Sequence, residues 1–223
     1  MRRRDVMGLL GSTLLLAGCA EDEKWHQKLT VTVATPQGDV SGSSVTEVQL
    51  TLREDALWTT AGYAYKIFHR GEAVVVEVQP GKYLFAVLEQ KQQLLALKLI
   101  AGDRAWGQPT SADREKVKAH RGPISLGSSD YPLLVMFTDI NEPASVKAIK
   151  PVNLAAPFGE GYSLKSITLE ITEEEVPKMQ ISNTLVWLDD ELALTRFWQA
   201  LLASGYQPNG STEVKRLFQA GEF

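Results

Sequence analysis

Cysteine is almost absent: the chain of 223 residues holds one, Cys19. A single thiol cannot close an intrachain disulfide, so packing has to supply the stability. Histidine is scarce too. His26, His69 and His120 have no second His or Cys at ligand spacing, which leaves a zinc site without a basis. A Gly-x-Ser-x-Gly elbow and a phosphate-cradling glycine loop are both missing, and no cofactor is expected. A Ser-His-Asp set stays open, because triads assemble from distant positions. No apolar run reaches the about 20 residues that a spanning helix needs, and neither a repeat nor a low-complexity tract occurs. Positive charge is in deficit, with 23 Lys and Arg against 27 Asp and Glu, a net charge of −4. That balance argues against a nucleic-acid partner, which wants a basic stripe. It also argues against broad adhesion to anionic headgroups.

What is present begins at the amino terminus. Arg2, Arg3 and Arg4 form a positive start, residues 8–16 are a short apolar run, and Leu16-Ala17-Gly18-Cys19 closes it. A basic start, a short apolar stretch and small residues before a cut describe a secretory signal. The segment resembles a bacterial lipoprotein signal peptide, with Leu16, Ala17, Gly18 and Cys19 matching the lipobox in full. The resemblance implies cleavage after residue 18 and diacylglyceryl transfer to the Cys19 thiol, so that acylated Cys19 ties the chain to a lipid bilayer. Two or more acyl chains anchor stably where one does not. The alternative is a buried thiol in a hydrophobic helix. Arg3-Arg4-Asp5-Val6-Met7 is similar to a twin-arginine export motif, though ordinary export also tolerates adjacent arginines, and both routes stay open. Ala20 after the cysteine resembles the outer-membrane default of Gram-negative lipoproteins. Losing residues 1–18 removes three arginines and Asp5, leaving 205 residues with a net charge of −6.

Residues 19–28 are polar and read as a tether, with Trp25 either at the headgroup level or packed on the domain edge. Leu29, Val31 and Val33 then alternate with Thr30, Thr32 and Ala34, the period of a half-buried strand. Further strands are predicted around Val48, Leu50 and Leu52, from Tyr63 to Ile67, around Val74, Val76 and Val78, and from Tyr83 onward. Residues 94–101 read as another strand or a short helix. Pro80-Gly81 is a type II turn by composition. Residues 29–101 thus predict a sandwich. Thr35-Pro36-Gln37-Gly38-Asp39-Val40, the Gly71-Glu72 turn and Val78-Gln79-Pro80-Gly81-Lys82-Tyr83 resemble the prealbumin-like sandwich of carboxypeptidase regulatory domains, which are mostly structural or adhesive.

Residues 102–129 are rich in Gly, Pro, Ser and charge and read as a loop or linker. Residues 130–223 carry more strands, including the fully apolar Leu133-Leu134-Val135-Met136-Phe137, and then the period changes. Leu194, Phe197, Trp198, Leu201 and Leu202 fall on one face of a helix, with Asp189 as its N-cap and Gly205 as its stop. Val214, Leu217 and Phe218 predict a second short helix. The expected fold is mainly β (α+β): a β-sandwich-like domain, a smaller β segment and two C-terminal amphipathic helices, the two halves packed as one unit or standing as two.

Candidate site residues are few. Asp130, Asp139 and Glu142 bracket one strand and could hold calcium or act as general acid and base; the simpler reading is a solvated turn in which Asp139 bonds its own backbone. Glu173-Glu174-Glu175 reads as a solvated, edge-protecting run. Trp58, Tyr63 and Trp106 in or near turns could stack on sugars, or pack under loops. Three functions are expected from this. The first is a lipid-anchored binding or assembly module of a bacterial envelope, facing the periplasm and contacting an envelope protein or glycan through loops away from Cys19. The second is a hydrolase of envelope polymers using the carboxylates. The third is a structural subunit docking through its C-terminal helices.

Overall fold

A computed structural model describes residues 23–52, 65–107, 109–178, 180–208 and 213–221. Its strands are β1 (Glu23–Thr35), β2 (Gly38–Leu52), β3 (Tyr65–Glu72), β4 (Val74–Gln79) and β5 (Lys82–Ala86). Four short helices follow: α1 (Gln90–Gln93), α2 (Leu95–Ala101), α3 (Asp103–Gly107) and α4 (Ser111–Ala119). Then come β6 (Ile124–Ser125), β7 (Leu134–Phe137), β8 (Val146–Ile149), α5 (Ala155–Phe158), β9 (Ser163–Thr172), α6 (Ile181–Thr184), α7 (Glu191–Ala203) and β10 (Gln219–Ala220).

Two antiparallel sheets carry the fold. One has six strands in the order β10-β3-β2-β1-β9-β6, the other four in the order β4-β5-β7-β8. Alternation along β1 buries Trp25, Gln27, Leu29, Val31 and Val33 on one face. That face, with Val48, Leu50, Ile167 and Leu169, packs on Val74, Val76, Leu84, Leu134 and Met136 of the smaller sheet. The other face of the smaller sheet is covered as well. Phe85, Val135 and Phe137 pack there on Phe197 and Leu201 of α7 and on Trp187 and Phe218. A strand buried on both sides has no reason to alternate, which accounts for the unbroken apolar run at 133–137.

The protein is thus a mixed α/β fold with two sheets and a C-terminal helix over the smaller one. Its order differs from a sandwich completed by residue 101 and followed by helices. β1 pairs with β9 and β5 pairs with β7, so both sheets mix strands from 29–101 with strands from 130–223. β3 and β4 do not form the hairpin that their spacing suggests. The chain leaves one sheet at Glu72 and enters the other at Val74. Gly71, at φ 142°, makes that passage, where an added Cβ would stand 2.7 Å from Thr46 Cγ2.

Local expectations change in four places. Residues 23–28 are the first half of β1 rather than tether, and Trp25 is 4% exposed in the core, its Nε1 donating to Gln27 Oε1 at 3.3 Å. Lys, His and Gln hid the alternation there. Residues 95–101 are helix α2, the second of the two forms read for 94–101, and residues 102–129, read as a loop or linker, hold α3, α4 and β6. Leu94, Leu95, Ala96, Leu97, Ala105 and Val117 from this helical group close the first core. Thr110 caps α4 in a capping box with Asp113, a signal present in the sequence and overlooked. The N-cap of α7 is Asp190, whose carboxylate accepts from the amides of Leu192 and Ala193, one residue beyond the expected Asp189. Finally, the second C-terminal helix is a 3-10 turn at Val214–Leu217 that runs into the edge strand β10. A two-residue strand stands at each edge of the six-stranded sheet, β10 on Gly71 and Glu72 of β3 and β6 on Thr168 and Leu169 of β9.

Candidate functional site

The three carboxylates proposed from sequence do not converge. Asp130 closes the 3-10 turn Ser128–Asp130 and accepts from Lys98 of α2. Asp139 sits beyond the other end of β7, where its Oδ1 accepts from Asn141 N at 3.0 Å and its backbone exchanges two bonds with the Ser145 hydroxyl. Glu142 caps the 3-10 turn Pro143–Ser145 through Ala144 N at 3.1 Å and meets Arg196 of α7 at 3.3 Å. Each therefore has local structural work, and the four residues of β7 alone separate the two groups by about 13 Å. Among the described residues no group of three His, Cys, Asp or Glu is placed to hold a metal ion. Cys19, Arg3, Arg4, Leu16, Ala17, Gly18, Trp58 and Tyr63 lie outside the described residues. Trp106 falls on α3, whose chain packs against α2. Among the described residues no helix is long and apolar enough to cross a membrane.

One surface feature unites both sheets. The β1–β2 turn, the β4–β5 turn and the loop before β9 enclose an open cleft of about 670 Å³, with Thr35, Gln37, Glu77, Gln79, Pro80 and Tyr162 around it and Val40 in its wall. Its frame is hydrogen-bonded throughout. The Thr35 hydroxyl donates to Gly38 O at 2.7 Å and accepts from Gln37 N at 3.2 Å. Glu77 accepts from Gly81 N at 2.9 Å across the second turn, and Gln79 Nε2 donates to Phe158 O at 2.7 Å. Phe158 is buried and supports Tyr162 from beneath, their ring centroids 6.1 Å apart. The result is a row of amides, a hydroxyl and a carboxylate beside one braced aromatic ring. Sequence reasoning read these turns for their shape and missed Tyr162, because nothing local shows that residues 35–37, 77–80 and 162 meet.

A second feature is internal. Gln27, Thr46, His69 and Gln92 line a small cavity between β1, β2, β3 and α1. Its volume, about 20 Å³, is that of a single water site. Gln27 Nε2 donates to Gln92 O at 3.1 Å, whereas His69 Nε2 and both amide atoms of Gln92 have no hydrogen-bond partner among the described residues. Burial pushes the His69 imidazole down to about 4 from its ordinary 6.5. Glu72 is the one other titratable side chain on the cavity wall, and its carboxylate accepts from Ile181 N at 2.7 Å.

The sign of the pH effect follows. The unfolded chain takes up a proton on His69 as pH falls through about 6.5, while the folded chain resists until about 4. Stability from this residue is complete above pH 6.5, drains away between 6.5 and 4, and is constant below. The full loss is on the order of 3 kcal/mol. Urea midpoints measured from pH 7.5 to pH 4 should show it, and His69→Leu should remove most of the slope. An unchanged slope in His69→Leu would assign the acid sensitivity elsewhere.

A mixed groove of about 430 Å³ lies beside α7, with Leu194, Trp198 and Val214 among Glu191, Thr195 and Glu213 and the Asp189–Lys215 ion pair of 2.9 Å. No family model, curated protein or solved structure matches this chain.

Proposed function

We propose that this is a lipid-anchored protein of a bacterial envelope, on the periplasmic face of the outer membrane, and that it presents the turn cleft to an envelope glycan. The observation that carries the reading is the spacing between the lipobox and the fold. β1 begins at Glu23, four residues after Cys19, a span of at most about 14 Å. β1 then runs 13 residues to Thr35, roughly 40 Å of strand. An anchor at Cys19 would hold one end of the six-stranded sheet at the bilayer and carry the cleft at the other. The cleft's braced tyrosine and its amides match a sugar polymer better than a charged or apolar ligand.

The test uses whole cell envelopes and isolated cell-wall sacculi. The parent protein should partition with the membrane and, once extracted, sediment with sacculi. Tyr162→Ser should stay in the membrane and lose about tenfold in sacculus binding, the scale of one aromatic contact with its packing. Cys19→Ser should leave the membrane fraction and keep its sacculus binding. Undiminished binding by Tyr162→Ser would remove the cleft from the reading, and membrane retention of Cys19→Ser would remove the anchor.

A second reading, docking of a partner protein along α7, is favoured by one observation. Leu192 and Leu202 are 76% and 40% exposed there.

A further inference from the structure

We infer that the small cavity between β1, β2, β3 and α1 binds one long-lived water molecule, shared by the His69 imidazole and the Gln92 carboxamide, and that this water enters and leaves past Ser44 and Glu72. The inference is independent of the anchor and of the turn cleft. It gives the protein an internal hydration site that fastens α1 to the larger sheet.

The first observation is an unbalanced set of hydrogen bonds. Gln92 is 4% exposed and His69 9%. Both amide atoms of Gln92 and His69 Nε2 lie out of solvent without a partner among the described residues. Turning the Gln92 amide over exchanges its oxygen and nitrogen, and both positions stay unpaired. The residue is also pinned where it stands. Its backbone amide donates to Glu89 O at 3.0 Å, and its carbonyl accepts from Gln27 Nε2 at 3.1 Å. Leu94 and Leu95, just beyond it, are core residues. A buried polar group left unpaired is costly. Three of them around one cavity call for a common partner that both donates and accepts.

The second observation is the size and chemistry of the cavity. A volume of about 20 Å³ admits a water and excludes an organic ligand. A bare cation fits poorly, because it wants several oxygens. Glu72 is the one carboxylate on the wall, and it already accepts from Ile181 N at 2.7 Å. Burial holds the His69 imidazole neutral by pushing it down to about 4. A neutral ring nitrogen either accepts from water or donates to it, so water serves both tautomers. Thr46, 5% exposed, adds a hydroxyl to the same wall. An ordered internal water needs two to four polar partners, and His69, Gln92 and Thr46 are in place to supply them.

The third observation is a shared wall. Ser44 and Glu72 line the cavity and also line a surface groove of about 460 Å³, which runs between residues 43–45 of β2 and residues 180–184 around α6. Two hydrogen bonds stand at that wall. The Ser44 hydroxyl donates to Glu72 O at 2.7 Å, and the Glu72 carboxylate accepts from Ile181 N at 2.7 Å. On its other sides the cavity is backed by core residues, among them Leu29, Val74, Leu95 and Leu169. Parting two hydrogen bonds at the surface disturbs less than parting that core, so the path runs past Ser44 and Glu72. A water behind them leaves when they open. That places its residence with local opening motions, about a microsecond or longer.

The test uses the full-length protein extracted in detergent. NMR cross-peaks from water to the Gln92 side-chain amide protons should carry the sign of a water that stays through molecular tumbling. Oxygen-17 relaxation dispersion should count one long-lived water fewer in the His69→Leu, Gln92→Leu double variant, where both partners become apolar. Glu72→Ala should keep the water and let it exchange about tenfold faster, the scale of one lost hydrogen bond. Missing cross-peaks in the parent, or an unchanged count in a folded double variant, would overturn the site. Should the double variant fail to fold, the parent's cross-peaks decide alone. An exchange rate unmoved by Glu72→Ala would overturn the path and leave the site standing.

Discussion

Replacing Gly42 by alanine should cost on the order of 3 kcal/mol or more, a large share of an ordinary domain's stability. Gly42 lies on the inner face of β2, opposite Val31 of β1, at the place where β2 crosses β4. A Cβ added there would stand 2.0 Å from the carbonyl oxygen of Val75 and 2.8 Å from its carbon. Those atoms are backbone, so no rotamer change can move them. Relief requires the two sheets to part along their closest line of approach, which unpacks Val31, Val48, Val74 and Val76 together. Overpacking ordinarily costs about 1–3 kcal/mol, and a clash with main chain belongs at or above the top of that range. Total stabilities are about 5–15 kcal/mol. Urea denaturation followed by tryptophan fluorescence measures the effect, with Ser43→Ala, exposed on the outer face, as a control expected within about 0.5 kcal/mol of the parent. A Gly42→Ala protein that unfolds at the parent's midpoint would mean that the sheets are farther apart than described.

Phe197→Ala should be comparably severe, costing about 3–5 kcal/mol. Phe197 is fully buried on α7, and its ring is 5.2 Å from Phe218, 5.8 Å from Trp187 and 6.0 Å from Phe137. Those partners come from three separate stretches of chain, so the ring is the common contact through which α7, β7 and the last turn hold the smaller sheet's outer face. Its removal leaves a cavity that none of the three stretches can fill alone. Trp198, the next residue, meets Tyr206 at 6.1 Å and is only partly buried. Trp198→Ala should therefore cost much less, about 1–2 kcal/mol. The comparison of the two adjacent substitutions by thermal unfolding separates burial from aromatic character. Equal losses would show that α7 is held by its whole face rather than by Phe197.

The helix face that includes Phe197 was legible because a period of 3.6 over Leu194, Phe197, Trp198 and Leu201 depends on no distant residue. The same holds for the period of two in β1 after residue 29, in β4 and in β9. The reading failed where a residue's role is fixed by a partner far along the chain. Gln27 and His69 look like surface residues until the second sheet and α1 close over them. Residues 102–129 look like a linker because α3 and α4 are short, and they persist through packing of Ala105 and Val117 in the core rather than through propensity. Asp130, Asp139 and Glu142 were reasonable as a set on spacing, yet the chain gives each its own lysine, turn or arginine.

By itself, the amino-acid order determined the two hydrophobic periods, the turn chemistry at Pro80-Gly81 and the absence of any local catalytic motif. These are properties of a few neighbouring side chains and need no fold to express them. Only the tertiary structure decided that β3 and β4 belong to different sheets, that β9 completes the first sheet, that the turn cleft gathers Thr35, Gln79 and Tyr162, and that His69 and Gln92 share one cavity. Each of these depends on contacts between segments tens of residues apart, where the free energy lies in burying two faces together, and a linear pattern carries one face at a time.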